Sequence, residues 1–194
     1  VNRVVRWTFL RHGESVANAA GRVAGHQDSP LTARGVEQAL AVRDPLADLP
    51  FRRVLTSDLA RARRTAELAA PGVPLFVDAG LRERSLGDWE GRRRDALASE
   101  GFADLVLSAT GRPPGGESHA DLTRRALTTL ARLEDGTDTL VVAHGGLLRA
   151  VLGALDGVDA ADAVRIRFPN AGLQTRAVPA GTWARLVDTS RSRL

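Results

Sequence analysis

Two apolar runs in this chain stop in the same way, at a His-Gly pair followed by a stretch suited to a helix. The first, Val4 to Leu10, runs into Arg11-His12-Gly13-Glu14-Ser15. The second, Thr139 to Ala143, runs into His144-Gly145-Gly146. Short runs rich in Val, Leu and aromatic residues, closed by glycine, read as buried strands. Gly13 allows a sharp backbone turn, and Glu14 and Ser15 suit the opening of a helix. Further strands are expected at Arg53 to Thr56, at Leu75 to Val77, and as a pair at Leu173 to Val178 and Thr182 to Val187. Helices are expected from Glu14 to Ala20, from Thr32 to Ala47 with a stop or kink at Pro45, and from a cap at Ser57 or Asp58 to Ala70. Others follow at Asp95 to Leu107, Ser118 to Leu133 and Gly146 to Leu155, with an irregular loop over Gly80 to Gly91. Strands alternating with helices predict an α/β fold, a three-layer α/β/α domain around a mostly parallel sheet. No repeat or low-complexity linker divides the chain, so residues 1–194 are read as one domain.

Ligands of such sheets collect beyond the C-terminal ends of the strands. If the two strands ending in His-Gly are neighbours, His12 and His144 overlook the same crevice. A helix N-terminus offers free N–H groups and a positive dipole end, which suit a phosphate. Arg11 adds a forked cation, and His12 a nitrogen able to attack phosphorus. The helix opened at Ser57-Asp58 carries Arg61 in its first turn and Arg63 and Arg64 beside it. Those two are expected on other faces, one of them paired with Glu67. The loop Leu81-Arg82-Glu83-Arg84-Ser85-Leu86-Gly87-Asp88-Trp89-Glu90-Gly91 offers three carboxylates for proton transfer: Glu83, Asp88 and Glu90.

Composition bears mainly on partners. The isoelectric point lies near 11.1, which invites a nucleic-acid reading. Every basic residue is Arg, however, and Tyr and Cys are absent, so no side chain titrates between His and Arg. A formal charge of only +4 then carries the isoelectric point upward. With 4% aromatic residues and no nucleic-acid motif, the clusters, Arg92-Arg93-Arg94 among them, are expected to be solvated surface. No apolar run is long enough to span a bilayer, and the short stretches before Arg11 do not make a secretion signal, which predicts the cytoplasm. The lack of Cys excludes disulfides and thiolate metal sites.

The unit strand-Arg11-His12-Gly13-helix, with the second His-Gly corner at His144, resembles the signature of the histidine phosphatase superfamily, which includes the cofactor-dependent phosphoglycerate mutases. The resemblance runs from Leu10 to about Gly146, and the stretch after that carries no signature. It implies Arg61 as the second phosphate arginine and Glu83, in a Leu-x-Glu-x-x-x-Gly loop, as the acid. Together with Arg11, His12 and His144 these form the implied catalytic set. Asn18, in the pattern Arg-His-Gly-Glu-Ser-x-x-Asn, joins Ser15, Gly25 and Gly145 as implied phosphate- or substrate-binding positions. Pro114-Gly115-Gly116-Glu117-Ser118 resembles a segment common among the family's phosphatases, with Glu117 and Ser118 expected to start a helix. His26 and His119 could touch substrate, but as exposed loop histidines they are expected to do nothing and are left out of the site.

What the resemblance implies is transfer of a phosphoryl group to neutral His12, then hydrolysis, with Glu83 giving and retaking a proton if burial raises its pKa. Arg11 and Arg61 should hold the His12 pKa down. No metal and no cofactor is called for, and the partner is a small phosphate ester, with no nucleic acid and no membrane; a homodimer is compatible. Ala24, Leu86 and Gly146 stand where mutases tend to carry a hydroxyl residue, a Tyr and an Asn. Only about twenty residues separate Gly91 from Gly111, little for the insertion with which mutases cover substrate. Hydrolysis is therefore favoured, with mutase activity and noncatalytic phospho-ligand binding as alternatives.

Overall fold

The computed structural model describes residues 3–192. Its sheet contains β1 (Val4–Arg11), β2 (Arg53–Thr56), β3 (Leu75–Val77), β4 (Thr139–Ala143) and β5 (Leu173–Pro179). They lie in the order β3-β2-β4-β1-β5, all parallel except β5, which runs antiparallel to β1. The helices are α1 (Val16–Ala19), α2 (Ala33–Ala41), α3 (Arg43–Ala47), α4 (Ala60–Ala69), α5 (Phe102–Leu107), α6 (His119–Leu133), α7 (Gly145–Asp156), α8 (Ala160–Arg165) and α9 (Thr182–Ser192).

The period of two along the strands separates two cores. Val5, Trp7 and Phe9 of β1, with Val141 and Ala143 of β4, face α6, α7 and α9. Leu10, with Leu140 and Val142, faces the other way, onto α3 and α4. The central strands are buried on both faces, which is why they read as unbroken apolar runs. The three-layer arrangement follows.

Four local expectations are corrected. Thr182 to Val187 is not a strand but the start of α9. Trp183 and Val187, four apart, both enter the core, and the Trp183 ring meets Trp7 edge-on at 5.2 Å. The helix begun by Thr32 ends at Ala41 with Val42 as its C-cap, so the expected break falls ahead of Pro45 and a separate helix runs on to Ala47. Pro45 falls in the first turn of α3, where its missing N–H costs no helical bond. The segment Asp95 to Leu107 is divided at Gly101, whose left-handed φ of 77° separates a 3₁₀ turn from α5. Neither Ser57 nor Asp58 caps α4. Its N-cap is Leu59, and the free N–H of Ala60 is met from outside by Asp28 Oδ1 at 2.9 Å, while Asp58 is drawn to Arg82. The helix α8 was not anticipated.

Candidate active site

β1 and β4 are adjacent and parallel with Arg11 level with Ala143, so their C-terminal ends deliver His12 and His144 to the same place. The His12 backbone N–H donates to Ala143 O at 2.9 Å, and the two imidazole centroids are 5.2 Å apart. A cavity of about 290 Å³ opens there, with Arg11, His12, Asn18, Gly25, Arg61, Glu83 and Gly145 on its wall. His144 is fully buried, with its ring centroid 5.2 Å from that of His12, and is not among the residues that line the cavity.

The tautomer of His12 is fixed. Its Nδ1 lies 2.7 Å from Gly13 O, and a carbonyl only accepts, so Nδ1 carries the proton and Nε2 keeps its lone pair. Burial is the main cause that pushes the His12 pKa down to about 3, with the charges of Arg61 and Arg11 adding to it. Neutral imidazole is therefore the resting form at ordinary pH. His144 is held well below its usual value by burial first, then by Arg61 and His12, and neither of its ring nitrogens has a hydrogen-bond partner. A buried polar atom without a partner is costly and calls for an explanation.

The arginines are tethered on one side. Arg11 donates from Nη1 to Phe168 O at 2.8 Å, while its Nε has no partner. Burial lowers its pKa to about 10, which leaves it cationic. Arg61, 1% exposed, donates to Gln27 O and to Gly25 O, at 3.1 and 2.7 Å. Arg63 and Arg64 both pair with Glu67 on the exposed face of α4. Gly25 is the residue its position requires: φ is 51°, and a Cβ would lie within 2.2 Å of Glu90 Oε1.

The Glu83 carboxylate lies against the first turn of α7. Oε2 accepts from Gly146 N at 2.9 Å; Oε1 accepts from Leu147 N at 3.1 Å and Arg84 N at 2.9 Å. A side chain on Gly146 would collide with it, its Cβ falling 2.4 Å from Oε1. Neither neighbouring arginine pairs with Glu83. Arg82 is bound to Asp58, and Arg84 donates to Glu117 O and Gly111 O. The loop itself is fastened by Arg125, which donates to the carbonyls of Gly80, Arg82 and Glu83 and is paired with Glu117. Of the rival carboxylates, Glu90 is occupied by the N–H groups of His26, Gln27 and Leu86.

Asn18 is oriented by two donors. Its Oδ1 accepts from Ser15 N and from Asn170 Nδ2, at 3.3 and 3.1 Å, so its amide N–H groups are left for the cavity. Ser15 is placed differently from what the resemblance implies. It is fully buried, its hydroxyl caps α1, and it is not on the cavity wall.

Three residues that the sequence did not assign to the site contribute to it. Asn170, just ahead of β5, donates to His12 O as well as to Asn18, at 3.1 Å each. No local pattern marks it, because the pairing of β5 with β1 brings it there. Arg94 lines the cavity, whereas Arg92 and Arg93 make surface pairs with Glu100 and Asp95. His119 is not an exposed loop residue: it opens α6 behind the Ser118 cap, and it too lines the cavity. Among the described residues, no group of three or more His, Asp or Glu is placed to hold a metal ion, and no helix is long and apolar enough to cross a membrane.

Known proteins share both the sequence and the architecture. A probable phosphoglycerate mutase of Salmonella choleraesuis, GpmB, is 37% identical over 174 residues, which cover 85% of this chain and 81% of that protein. A mycobacterial glucosyl-3-phosphoglycerate phosphatase, solved with VO3, is 31% identical with a TM-score of 0.80, covering 88% of this chain and 90% of the other. The α-ribazole phosphatase of Shigella flexneri is 29% identical with a TM-score of 0.79, covering 91% and 96%. The family model described as histidine phosphatase superfamily, branch 1, matches residues 7–187, nearly the whole described fold. This chain belongs to that superfamily.

Proposed function

We propose that this chain hydrolyses a small phosphate monoester through a phosphohistidine formed on His12. The observation that carries the reading is the fixed tautomer: a neutral imidazole offers its Nε2 lone pair on the wall of an arginine-lined cavity. Nε2 attacks phosphorus as the ester P–O bond breaks, and Glu83 gives its proton to the departing alkoxide. Oε2 accepts only one N–H, which leaves it a lone pair for that proton. Water then attacks phosphorus, Glu83 takes back a proton, and the P–N bond breaks to release phosphate. Arg11, Arg61 and the Asn18 amide answer the charge on the equatorial oxygens, and the buried His144 ring, unpartnered and next to His12, is assigned to the same phosphoryl group.

The wall beyond the phosphate site supports hydrolysis over phosphoryl return. Its apolar residues are Val23, Leu86, Phe102, Val106 and Leu122, beside Arg84, Arg94 and Arg149, and Leu86 and Gly146 stand at positions where the mutase pattern is polar. The solved phosphatases of similar fold point the same way. The likeness to GpmB favours a second reading, phosphoglycerate mutase activity. The two are separated by giving the protein 3-phosphoglycerate and a panel of phosphate esters. Phosphate release from at least one ester, faster than isomerisation of 3-phosphoglycerate, is expected. Isomerisation outpacing every release would overturn the assignment.

A further inference from the structure

His119 is a cavity-lining residue whose ring has a nitrogen that the phosphate chemistry does not use. Its ring is largely buried at the start of α6, and its Nε2 is shielded from solvent and has no hydrogen-bond partner. The proton on the other nitrogen follows from Thr123. The Thr123 hydroxyl has one hydrogen, which it donates to His119 O at 2.8 Å. Its 3.3 Å contact with His119 Nδ1 must therefore run the other way, from Nδ1–H to Oγ1. Burial, and then the charge of Arg84, keep the ring neutral by lowering its pKa to about 4. Nε2 is thus a bare acceptor.

The surroundings narrow what it accepts from. The wall that His119 shares carries Phe102, Val106, Leu122 and Val164 beside the cations Arg84, Arg94 and Arg149, of which Arg84 acts on the His119 ring. At Nε2 itself a bare acceptor matches an O–H or N–H and not a carboxylate or phosphate oxygen. Because Nε2 is shielded, a ligand reaches it only when the ring tips toward the cavity, at the expense of the already long 3.3 Å Nδ1 contact. Building on the hydrolase reading, the geometry points to His119 as a specificity residue: it accepts a hydrogen bond from a hydroxyl on the alcohol half of the substrate, which makes that substrate the phosphate ester of a polyol with an apolar flank. His119 also borders a shallower groove beside Thr123, Leu127 and Ala150, but that groove lacks the cations that would hold a phosphate.

The test is a ladder of esters on one carbon chain: glycerol 1-phosphate, propane-1,2-diol 1-phosphate and propyl phosphate. Each is assayed for kcat/KM with the wild type, His119→Leu, His119→Phe and His119→Gln. The ratio between hydroxylated and plain ester, compared across proteins, cancels the intrinsic reactivity of each alcohol. Removing the acceptor should shrink the wild-type ratio by roughly tenfold, the worth of one neutral hydrogen bond. Gln, whose amide oxygen also accepts, should restore part of it. Orthovanadate inhibition and circular dichroism report whether each variant keeps its phosphate site and fold, and Phe stands in should Leu fail to fold. Ratios unchanged in Leu and Phe would overturn the role of His119. If the wild type releases no phosphate at all, the hydrolase reading fails instead. The same ladder, read by calorimetric binding, then decides the His119 claim by the same ratios.

Discussion

The corner after β1 and the corner after β4 share one sequence logic and differ in how they use it. At the first, the His12 ring is tied by Nδ1 to the next carbonyl and shows its other nitrogen to the cavity. The chain then enters α1, four residues long, whose cap is supplied by its own Ser15. At the second, His144 has no tie on either nitrogen and is fully buried beside His12. The chain then enters α7, twelve residues long, whose first N–H groups hold Glu83. One corner thus aims a lone pair, while the other supplies a helix end for a carboxylate and an imidazole awaiting a ligand. A repeated motif has placed two different tools over one crevice.

The sharpest break in that comparison is His12→Ala. Loss of the nucleophile should lower kcat by on the order of 10⁵-fold, by analogy with other covalent enzymes, while near-ultraviolet circular dichroism stays native. Loss of activity equal to that of His144→Ala would mean that the corners are interchangeable. Glu83→Gln comes next. Its effect should depend on the leaving group, about 10³-fold with an alkyl ester and far less with p-nitrophenyl phosphate, whose anion needs no proton. Equal losses on both esters would remove Glu83 from the acid role. His144→Ala should cost roughly 10²-fold in kcat, the loss of one preorganised donor to the transition state, with orthovanadate affinity falling in parallel. Unchanged vanadate affinity would show that its free nitrogens do not serve the phosphoryl group.

The smallest effect concerns stability. The pKa values of His12 and His144 are depressed in the folded protein and near 6.5 in the unfolded chain. Between pH 6.5 and about 3, the unfolded state therefore binds more protons, and stability falls as pH falls through that window. The thermal midpoint should drop on acidification from pH 6.5 to 4, more shallowly in His144→Ala than in the wild type. Parallel slopes in the two proteins would contradict the buried, neutral state of His144.

Much of this architecture was legible because local patterns carry it. The two His-Gly corners, the strands at Arg53–Thr56 and Leu75–Val77, and the Ser118 cap each declare themselves within a few residues. What stayed hidden depends on distant parts of the chain. Asn170 reaches the site because β5 pairs with β1, across more than 150 residues of sequence. Asp28 caps α4 from another loop, which no pattern at Ser57-Asp58 reveals. Thr182 to Val187 looks like a strand in isolation, and only the burial of Trp183 with Val187 discloses a helix. His119 was set aside for the opposite reason: next to a Gly/Pro-rich stretch it reads as exposed, and only the packing of α6 brings it to the cavity.

The most direct test is to mix the protein with a ³²P-labelled ester, quench within one turnover, and locate the label. Label that is stable to base, lost in acid, and mapped by peptide mass spectrometry to His12 is the predicted result, with none in His12→Ala. Phosphate release from a protein that never carries label on His12, or label residing on His144, would contradict the claim that the first corner is the nucleophile.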